Sequence, residues 1–496
     1  MFSRFVLPSD WLRFEFYARR IRNLKHREFD ELHLIDASVY AEIARTRPGL
    51  ILLPNLQHLV WDTKQLNQAI LFMHHNLTEL VTCIDKPFAA AEGFMEARCF
   101  LTEVAARLPN LTLLDIRASF SVTHVQNALI SLLSGARQLR KAVLPRYWLS
   151  SAVVSTLASS PRLEVLQWEY IGQGHGDPKN VQTFEVSACD RSFPSLVDLS
   201  LEINLQDAIE FIQSSSFPRY LTSFYVRSLC LAPPSDIQQF FTVCPTISRS
   251  LTHLYLDLHT NTPEPVPQSH CITLETLQPL LSCPNITHLM ITYNAPLSIT
   301  DDDVGFLASR WPLLVALHLN DEPLCLAAPN LTLAAVLSFA EHCPKLEELS
   351  LYVNATTAPP PLSDPTPFAQ LRILDFGTSP IEDENTNTVA LFLSRICPFT
   401  APTAVEIVAG TSWDPVLQDA MDPIVAQEIE DRRGAWDNVR KYFPMLIALR
   451  AEERSRISKL EEELEGFRSG AKETQLCSES TAVYTQTATA DLWIAN

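Results

Sequence analysis

A short apolar pattern, Leu-x-x-Leu-x-Leu, recurs through most of the chain and limits what the chain can fold into. In a short strand, residues at alternate positions point to the same side, so each copy presents one apolar face. A single copy cannot bury that face alone, and the copies must stack on one another. The regular copies read PNLQHLVW from residue 54, PNLTLLDI from 109, PRLEVLQW from 161, PSLVDLSL from 194, PNITHLMI from 284, PLLVALHL from 312 and PKLEELSL from 344.

Twelve copies can be aligned on their first apolar residue. These residues are Leu56, Leu77, Leu111, Leu139, Leu163, Leu196, Leu221, Leu251, Ile286, Leu314, Leu346 and Leu371. Successive copies lie 21 to 35 residues apart. The mean of roughly 29 residues leaves room for a strand and a helix in every repeat. Degenerate copies at Phe29, Leu32 and Leu34, and at Val405 and Ile407, extend the array to about 12–14 irregular repeats.

The spacers between copies predict helices. Thr300 stands before three aspartates, 301–303, as an N-cap followed by acidic residues that favour the positive end of the helix dipole. Because proline cannot continue a helix, Cys-Pro pairs are expected to end helices and lead into the next strand. The cysteines of these pairs are Cys244, Cys283, Cys343 and Cys397.

Together these patterns predict an α/β fold, a leucine-rich-repeat solenoid over residues 29–410, with a curved parallel sheet on one side and helices on the other. Residues 1–28 are expected to form an N-terminal amphipathic helix. Residues 411–467 are expected to form a C-terminal helical segment, because the repeat ends there and the composition becomes charged. Residues 468–496 are rich in Ser, Thr and Ala, which predicts a disordered tail.

The two segments beside the array carry helical spacing of their own. Trp11, Phe14 and Tyr17 share one helix face, and the basic residues that follow them are interpreted as solvated. Near the other end, four apolar residues keep heptad spacing: Ile457, Leu460, Leu464 and Phe467. Two heptads are too few to establish a coiled coil. A helix that caps the array, a helix that projects from it, and a dimer contact all stay open.

The charge balance disfavours several classes of partner. The chain has 57 acidic and 38 basic side chains and a formal net charge of −19, so its average surface repels phosphate backbones and anionic lipids. We therefore expect neither a nucleic acid nor a membrane as partner. The eleven cysteines lack the spacing of a zinc site, and no apolar run resembles a secretory signal or a membrane span. These observations predict a protein of the cytoplasm, the nucleus or both.

Motifs of catalysis and cofactor binding are missing from the sequence. Gly172, Gly174 and Gly176 form a glycine-rich spot, but Asp177 and Pro178 follow where a phosphate-binding helix would begin. There is also no nucleophile elbow and no metalloprotease or kinase motif. We expect no enzymatic activity, no cofactor and no metal site.

The outward-facing strand positions are the natural surface of a chain that works by binding. Tyrosine, histidine and methionine gather at these positions in consecutive copies, and tyrosine and methionine are enriched at protein interfaces. The predicted protein-binding residues of the concave face are Tyr225, Arg227, His253, Tyr255, His288, Met290, His318, Glu348 and Tyr352. The alternative is an ordinary concave sheet without a specific ligand.

The wording of the repeats carries a family resemblance. The copies CPNITHLMI and CPKLEELSL resemble the Cys-Pro-x-Leu-x-x-Leu-x-Leu repeats of F-box leucine-rich-repeat proteins. The opening LPSDWLRFEFYARRIRNL is similar to the segment that follows the F-box in the large family of such proteins in mushroom-forming fungi. The F-box pattern itself is not recognisable, since Leu7 and Pro8 are not followed by its apolar spacing.

This resemblance implies an intracellular substrate receptor of a ubiquitin ligase. In such a receptor the F-box docks on the adaptor subunit of a cullin-RING ligase, and the repeats hold a protein substrate. The second interpretation is a ligase-independent leucine-rich-repeat scaffold that binds a protein partner. Neither interpretation identifies the bound protein, because a fold does not specify its ligand.

Overall fold

The structure is a computed structural model. It describes residues 4, 6–27, 35–62, 66–84, 94–168, 176–186, 192–247, 250–260, 266–267, 270–362, 365–398, 405–413, 417–418 and 421–490, with side chains described as far as Gly466 and at Arg468.

Within these residues, one parallel sheet of 14 strands runs in chain order from the first strand to the last. The strands are β1 (Asn23–Arg27), β2 (His58–Asp62), β3 (Glu79–Ile84), β4 (Leu113–Ala118), β5 (Lys141–Leu144), β6 (Val165–Trp168), β7 (Asp198–Ile203), β8 (Ser223–Ser228), β9 (His253–Asp257), β10 (His288–Thr292), β11 (Ala316–Leu319), β12 (Glu348–Leu351), β13 (Ile373–Asp375) and β14 (Glu406–Val408). Each of the twelve aligned copies holds a strand that begins two residues after its first apolar residue. The predicted α/β solenoid is therefore confirmed.

Helix α1 precedes the first strand, α13 follows the last one, and the other helices lie between successive strands. They are α1 (Pro8–Ala18), α2 (Ala37–Thr46), α3 (Leu66–Ala69), α4 (Met95–Arg107), α5 (Gln126–Gly135), α6 (Ser151–Ala158), α7 (Leu205–Gln213), α8 (Pro234–Ile247), α9 (Leu274–Leu277), α10 (Asp301–Arg310), α11 (Ala334–His342), α12 (Thr386–Ile396) and α13 (Pro423–Ala490). A helix is about 10 Å wide, whereas neighbouring strands lie only about 4.8 Å apart. The helical side is therefore the longer one, and the strands line the inner, concave side.

One line of registered apolar side chains forms the centre of the core. Each of these side chains is at most 2 % exposed. From β2 to β14 they are Leu59, Leu80, Leu114, Ala142, Leu166, Leu199, Phe224, Leu254, Leu289, Leu317, Leu349, Leu374 and Ile407. Threonines just ahead of several strands reinforce the stacking: the Thr252 hydroxyl donates to the Thr222 carbonyl, and the Thr287 hydroxyl to the Thr252 carbonyl.

The array contains a strand ahead of residue 29. Leu24 of β1 pairs in register with Leu59 and continues the apolar line, so the sheet begins before the position that the repeat spacing indicates. The N-terminal helix ends at Ala18, because the chain turns there into β1. The degenerate copy at Phe29, Leu32 and Leu34 lies outside the described residues.

Most of the predicted helix ends are present. Thr300 caps α10, since its hydroxyl accepts from the Asp303 backbone N–H while the Asp303 carboxylate accepts from the Thr300 backbone N–H. Cys343 and Cys397 follow directly after α11 and α12, and Cys283 follows a short 3₁₀ turn. Burial raises the pKa of the Cys343 and Cys397 thiols to about 12 each, as expected for cysteines that act as small apolar side chains.

The pair Cys244–Pro245 does not end a helix. Helix α8 runs through Pro245 to Ile247. The next core residue, Leu251, lies six residues after this proline, whereas Ile286 lies two residues after Pro284. The longer connection lets the helix finish its last turn, where a proline removes only one backbone hydrogen bond.

Helix α13 closes the C-terminal end of the array. Trp436, Val439 and Phe443 are buried beside α12 and β14. The Trp436 ring stacks on Phe376 at 4.3 Å between centroids, and its indole N–H donates to the Ser379 carbonyl at 2.9 Å. The helix continues to Ala490, past residue 467, at which the predicted C-terminal helical segment ends.

Candidate protein-binding face

Strand register brings most of the predicted binding residues onto one continuous patch. Tyr225, Tyr255, Met290 and His318 are registered partners on the successive strands β8 to β11. His253 and His288 are paired in the row beside them. We call the following set the tyrosine–histidine surface: Tyr225, His253, Tyr255, His288, Met290, His318 and Glu348.

The rings of this surface contact one another across the strands. His253 and His288 stack with centroids 4.1 Å apart and planes 12° apart. The rings of Tyr225 and Tyr255 lie 6.1 Å apart, and Trp168 meets Tyr225 edge to face at 5.5 Å. Aromatic rings held in this way offer a large contact area at little cost in conformational entropy.

The three imidazoles of the surface are held in the neutral form. Burial lowers the pKa of His253, His288 and His318 below the ordinary value, because removal from water disfavours the charged ring. The neighbouring imidazole of His288 lowers the pKa of His253 further. Near pH 7 these rings therefore offer one donor and one acceptor each rather than a positive charge.

A carboxylate lies at one side of the patch. The Glu348 side chain is 44 % exposed, and its carboxylate lies 3.9 Å from Nε2 of His318. The tyrosine–histidine surface thus has a neutral aromatic centre and an acidic margin. Chemically, such a surface can pack against apolar or aromatic groups at its centre and pair with a positive charge at its margin.

Arg227 has a different environment from the rest of the predicted set. It belongs to a row of buried charges, here called the charge ladder, made of Arg146, Glu202, Arg227 and Asp257. Arg146 makes a bidentate pair with Glu202 at 2.5 and 2.8 Å, and Arg227 lies 3.6 Å from Glu202 and 3.3 Å from Asp257. Their side chains are only 3 to 12 % exposed. Arg227 therefore lies on the same side of the sheet as Tyr225, but in a buried row of charges beside the tyrosines.

The charge ladder anchors the tyrosine–histidine surface. The Tyr225 hydroxyl donates to the Asp257 carboxylate at 3.1 Å, and the Thr292 hydroxyl donates to the same carboxylate at 2.7 Å. Burial opposes the ionisation of Asp257, but Arg227, His259 and the hydrogen bond from Thr292 outweigh burial and hold the pKa of Asp257 below the ordinary value. An ionised Asp257 thus fixes the orientation of the Tyr225 ring.

Tyr352 is separated from the other predicted residues. It is 3 % exposed, and its hydroxyl donates to the Ala327 carbonyl at 3.0 Å. Arg432 of α13 donates to the same hydroxyl at 3.0 Å. The first turns of α13 therefore cover this end of the concave face, and Tyr352 is not accessible to a partner in this structure.

The charge ladder was missed from the sequence although a signal for it was present. Glu202, Arg227 and Asp257 each stand six residues after the first apolar residue of their copy. Charges that alternate in sign at one repeat position are registered partners on neighbouring strands. Arg146 carries no such signal, because it lies in the connection after β5.

Two other features, metal-ligand clusters and membrane-spanning helices, concern the described residues. In that part of the chain, no cluster of three or more His, Cys, Asp or Glu could hold a metal ion. None of the helices described is long and apolar enough to cross a membrane.

Comparison with known proteins finds a solved structure that is similar to the chain. No family model matches the chain, and neither does any curated protein. Among solved structures, the chain is similar to one described as the crystal structure of the Rad7 and Elc1 complex in yeast, with 12 % identity and a TM-score of 0.39. That match covers 82 % of this chain and 92 % of the other. A TM-score this low carries no argument about function, so the chain is identified by its architecture alone, as an α/β leucine-rich-repeat solenoid.

Proposed function

We propose that this chain is a protein-binding scaffold that holds a protein partner on the tyrosine–histidine surface. The observation that carries this proposal is the continuous patch of half-buried aromatic and imidazole rings on β8 to β10, joined to His318 and Glu348 on β11 and β12. Such rings bury a large area on binding and keep a polar atom available for a hydrogen bond. The chain itself catalyses no reaction in this proposal.

The finer proposal is that the scaffold is the substrate-recognition part of an F-box type ubiquitin-ligase receptor in the cytoplasm or the nucleus. It is supported by the resemblance of the Cys-Pro repeats to those of F-box leucine-rich-repeat proteins. Its partners would be a protein substrate on the concave face and the adaptor subunit of a cullin-RING ligase. No nucleic acid or membrane is involved.

A ligase-independent scaffold is the competing function. One experiment distinguishes the receptor function from the independent scaffold. The purified full chain is mixed with the purified cullin adaptor, and the mass of the mixture is measured by light scattering after gel filtration. A stoichiometric complex supports the receptor function. Separate elution at concentrations well above micromolar contradicts it and favours the independent scaffold.

The concave-face proposal predicts where a partner crosslinks. A photo-crosslinking amino acid in place of Met290 should give adducts with a discrete set of cellular proteins. The variant Tyr255→Ala with His288→Ala and His318→Ala should lose at least tenfold of those adducts, because it removes three rings that surround Met290. The adducts are quantified by mass spectrometry.

A matched control uses the opposite side of the molecule. A crosslinker in place of Glu341, an exposed residue on α11, should not capture the same proteins. All variants are checked for unchanged thermal unfolding. Equal capture at positions 290 and 341, or capture at 290 that survives the triple substitution, would remove the tyrosine–histidine surface as the binding site.

A further inference from the structure

Helix α13 has two parts with different surroundings. Its first part is packed against the array through Trp436, Val439 and Phe443. Further on, the guanidinium of Arg450 donates to the Ser394 carbonyl at the end of α12. From Glu452 to Gly466 every side chain is exposed. These 15 residues extend about 22 Å into solvent at 1.5 Å per residue.

The projecting part carries an apolar stripe that nothing in the described chain covers. Ile457, Leu460 and Leu464 are 54 %, 59 % and 52 % exposed. Their spacing of three and four residues places them on one face of the helix. An unsupported helix of this length is marginal in water, and an exposed apolar stripe adds to that cost. Both facts point to a partner that covers the stripe.

The heptad positions of the stripe favour one kind of partner. In a heptad frame with Ile457 and Leu464 at position a and Leu460 at position d, the first heptad has a β-branched residue at a and leucine at d, a combination that favours a two-stranded parallel coiled coil. The second heptad has leucine at a. The same frame places Arg456 and Glu463 at position g, and Glu461 and Arg468 at position e. These flanking residues decide which helix can lie alongside.

The flanking charges are complementary to those of a second copy of the same helix. In a parallel, in-register pair, position g of one helix faces position e of the following heptad on the other. Arg456 then faces Glu461 of the second copy, and Glu463 faces Arg468 of the second copy. An antiparallel pair that matches Leu460 with Leu464 would instead bring two Glu461 side chains together, which is repulsive.

We propose that two copies of this chain associate through the projecting part of α13 as a parallel, in-register, two-stranded coiled coil centred on Ile457, Leu460 and Leu464. The pairing segment lies beyond the last contact with α12 described above. It contains no residue of the tyrosine–histidine surface. The proposal is independent of the proposed function.

Sedimentation of the full chain over a range of micromolar concentrations tests the association. The chain of 55.7 kDa should approach twice that mass as its concentration rises. Leu460→Glu with Leu464→Glu should weaken the association at least tenfold, because charges replace both leucine layers. The control Glu462→Lys, at position f on the solvent side, should leave the association unchanged. All these residues are exposed, so the unfolding midpoint of the array should not move.

A charge exchange tests the parallel register. Arg456→Glu should weaken the dimer several-fold, since it places two acids opposite each other, and Arg456→Glu with Glu461→Arg should restore it. A single mass of 55.7 kDa at every concentration would overturn the proposal. So would a dimer that survives the leucine substitutions. Failure of the double exchange to restore association would overturn the parallel register.

Discussion

The two ends of the solenoid are finished in different ways. At the C-terminal end, α13 lies across the last repeat and buries Trp436 against Phe376. At the N-terminal end, α1 buries Trp11 and Ala18 but leaves Leu12 72 % and Phe16 59 % exposed. Beside α1 the described residues leave an open cavity of about 680 Å³.

This difference shows which repeats need a segment outside the repeat pattern to bury their outer side. Each repeat of a solenoid is stabilised by its neighbours, so the terminal repeats have one side to cover by other means. The last repeats obtain that cover from α13, a segment outside the repeat pattern. Among the described residues, α1 covers the first repeats less completely than α13 covers the last ones, since only Trp11 and Ala18 of α1 are buried.

Removal of the C-terminal cover should have the largest effect on stability. Trp436→Ala deletes a fully buried ring and the hydrogen bond to the Ser379 carbonyl. We expect the free energy of unfolding to fall by about 3–5 kcal/mol, as for other buried aromatic residues. Urea unfolding followed by circular dichroism measures this change. A loss below about 1 kcal/mol would mean that α13 is not a structural cover.

The attachment of Ser412 and Trp413, which lie ahead of α13, should depend on pH through Glu322. The Glu322 carboxylate accepts from the Ser412 backbone N–H at 2.8 Å and from the Ser412 hydroxyl at 3.1 Å, and the Trp413 indole donates to the Glu322 carbonyl at 3.3 Å. Burial raises the pKa of Glu322 from 4.5 to about 7, with Asp375 and Asp257 adding to the rise. A raised folded-state pKa means that the native state holds its proton more tightly than the unfolded chain does.

The stability provided by protonated Glu322 should be fully present below about pH 4.5 and be lost as the pH rises through about 7. Glu322→Gln keeps an acceptor for Ser412 and does not titrate. We therefore expect this variant to be more stable than the natural chain at pH 8, and the difference to shrink toward pH 5. Unfolding midpoints across that range measure it. The exposed Glu384→Gln serves as control, and a pH profile that Glu322→Gln leaves unchanged would refute the assignment.

The smallest effect is expected at the N-terminal end. Phe16→Ala removes a ring that is 59 % exposed and has lost little contact with water on folding. The free energy of unfolding should change by no more than about 0.5 kcal/mol. The same urea experiment as for Trp436→Ala measures it. A loss comparable to that of Trp436→Ala would mean that the N-terminal end is as tightly covered as the C-terminal end.

The strands of the array were predictable because their signal is local. The first apolar residue of each aligned copy places its strand two residues later, since alternate side chains must enter one core. The signal for the Thr300 cap is local too, because its partner Asp303 is only three residues away in the sequence. The course of α8 through Pro245 was not predictable from the Cys-Pro pattern, since it depends on the distance to the next core residue.

The tyrosine–histidine surface follows partly from the sequence. Alignment of the copies is enough to place Tyr225, Tyr255, Met290 and His318 in one row, because equivalent positions of successive copies pair in the sheet. The burial of Arg227 in the charge ladder required the fold, since burial of a charge depends on Arg146 and Glu202 brought from other repeats. The repeat pattern predicts the face of the sheet to which a side chain points, but not which other residues cover that side chain.

The sequence by itself determined the repeat, the order of the strands and the face on which each strand residue lies. These properties depend on interactions between neighbours in one strand or in adjacent copies. Only the tertiary structure decided that Arg432 of α13 covers Tyr352, because those two residues are 80 positions apart and α13 lies outside the repeat. The accessible part of the concave face is therefore set by the packing of a non-repeating helix on a repeating sheet.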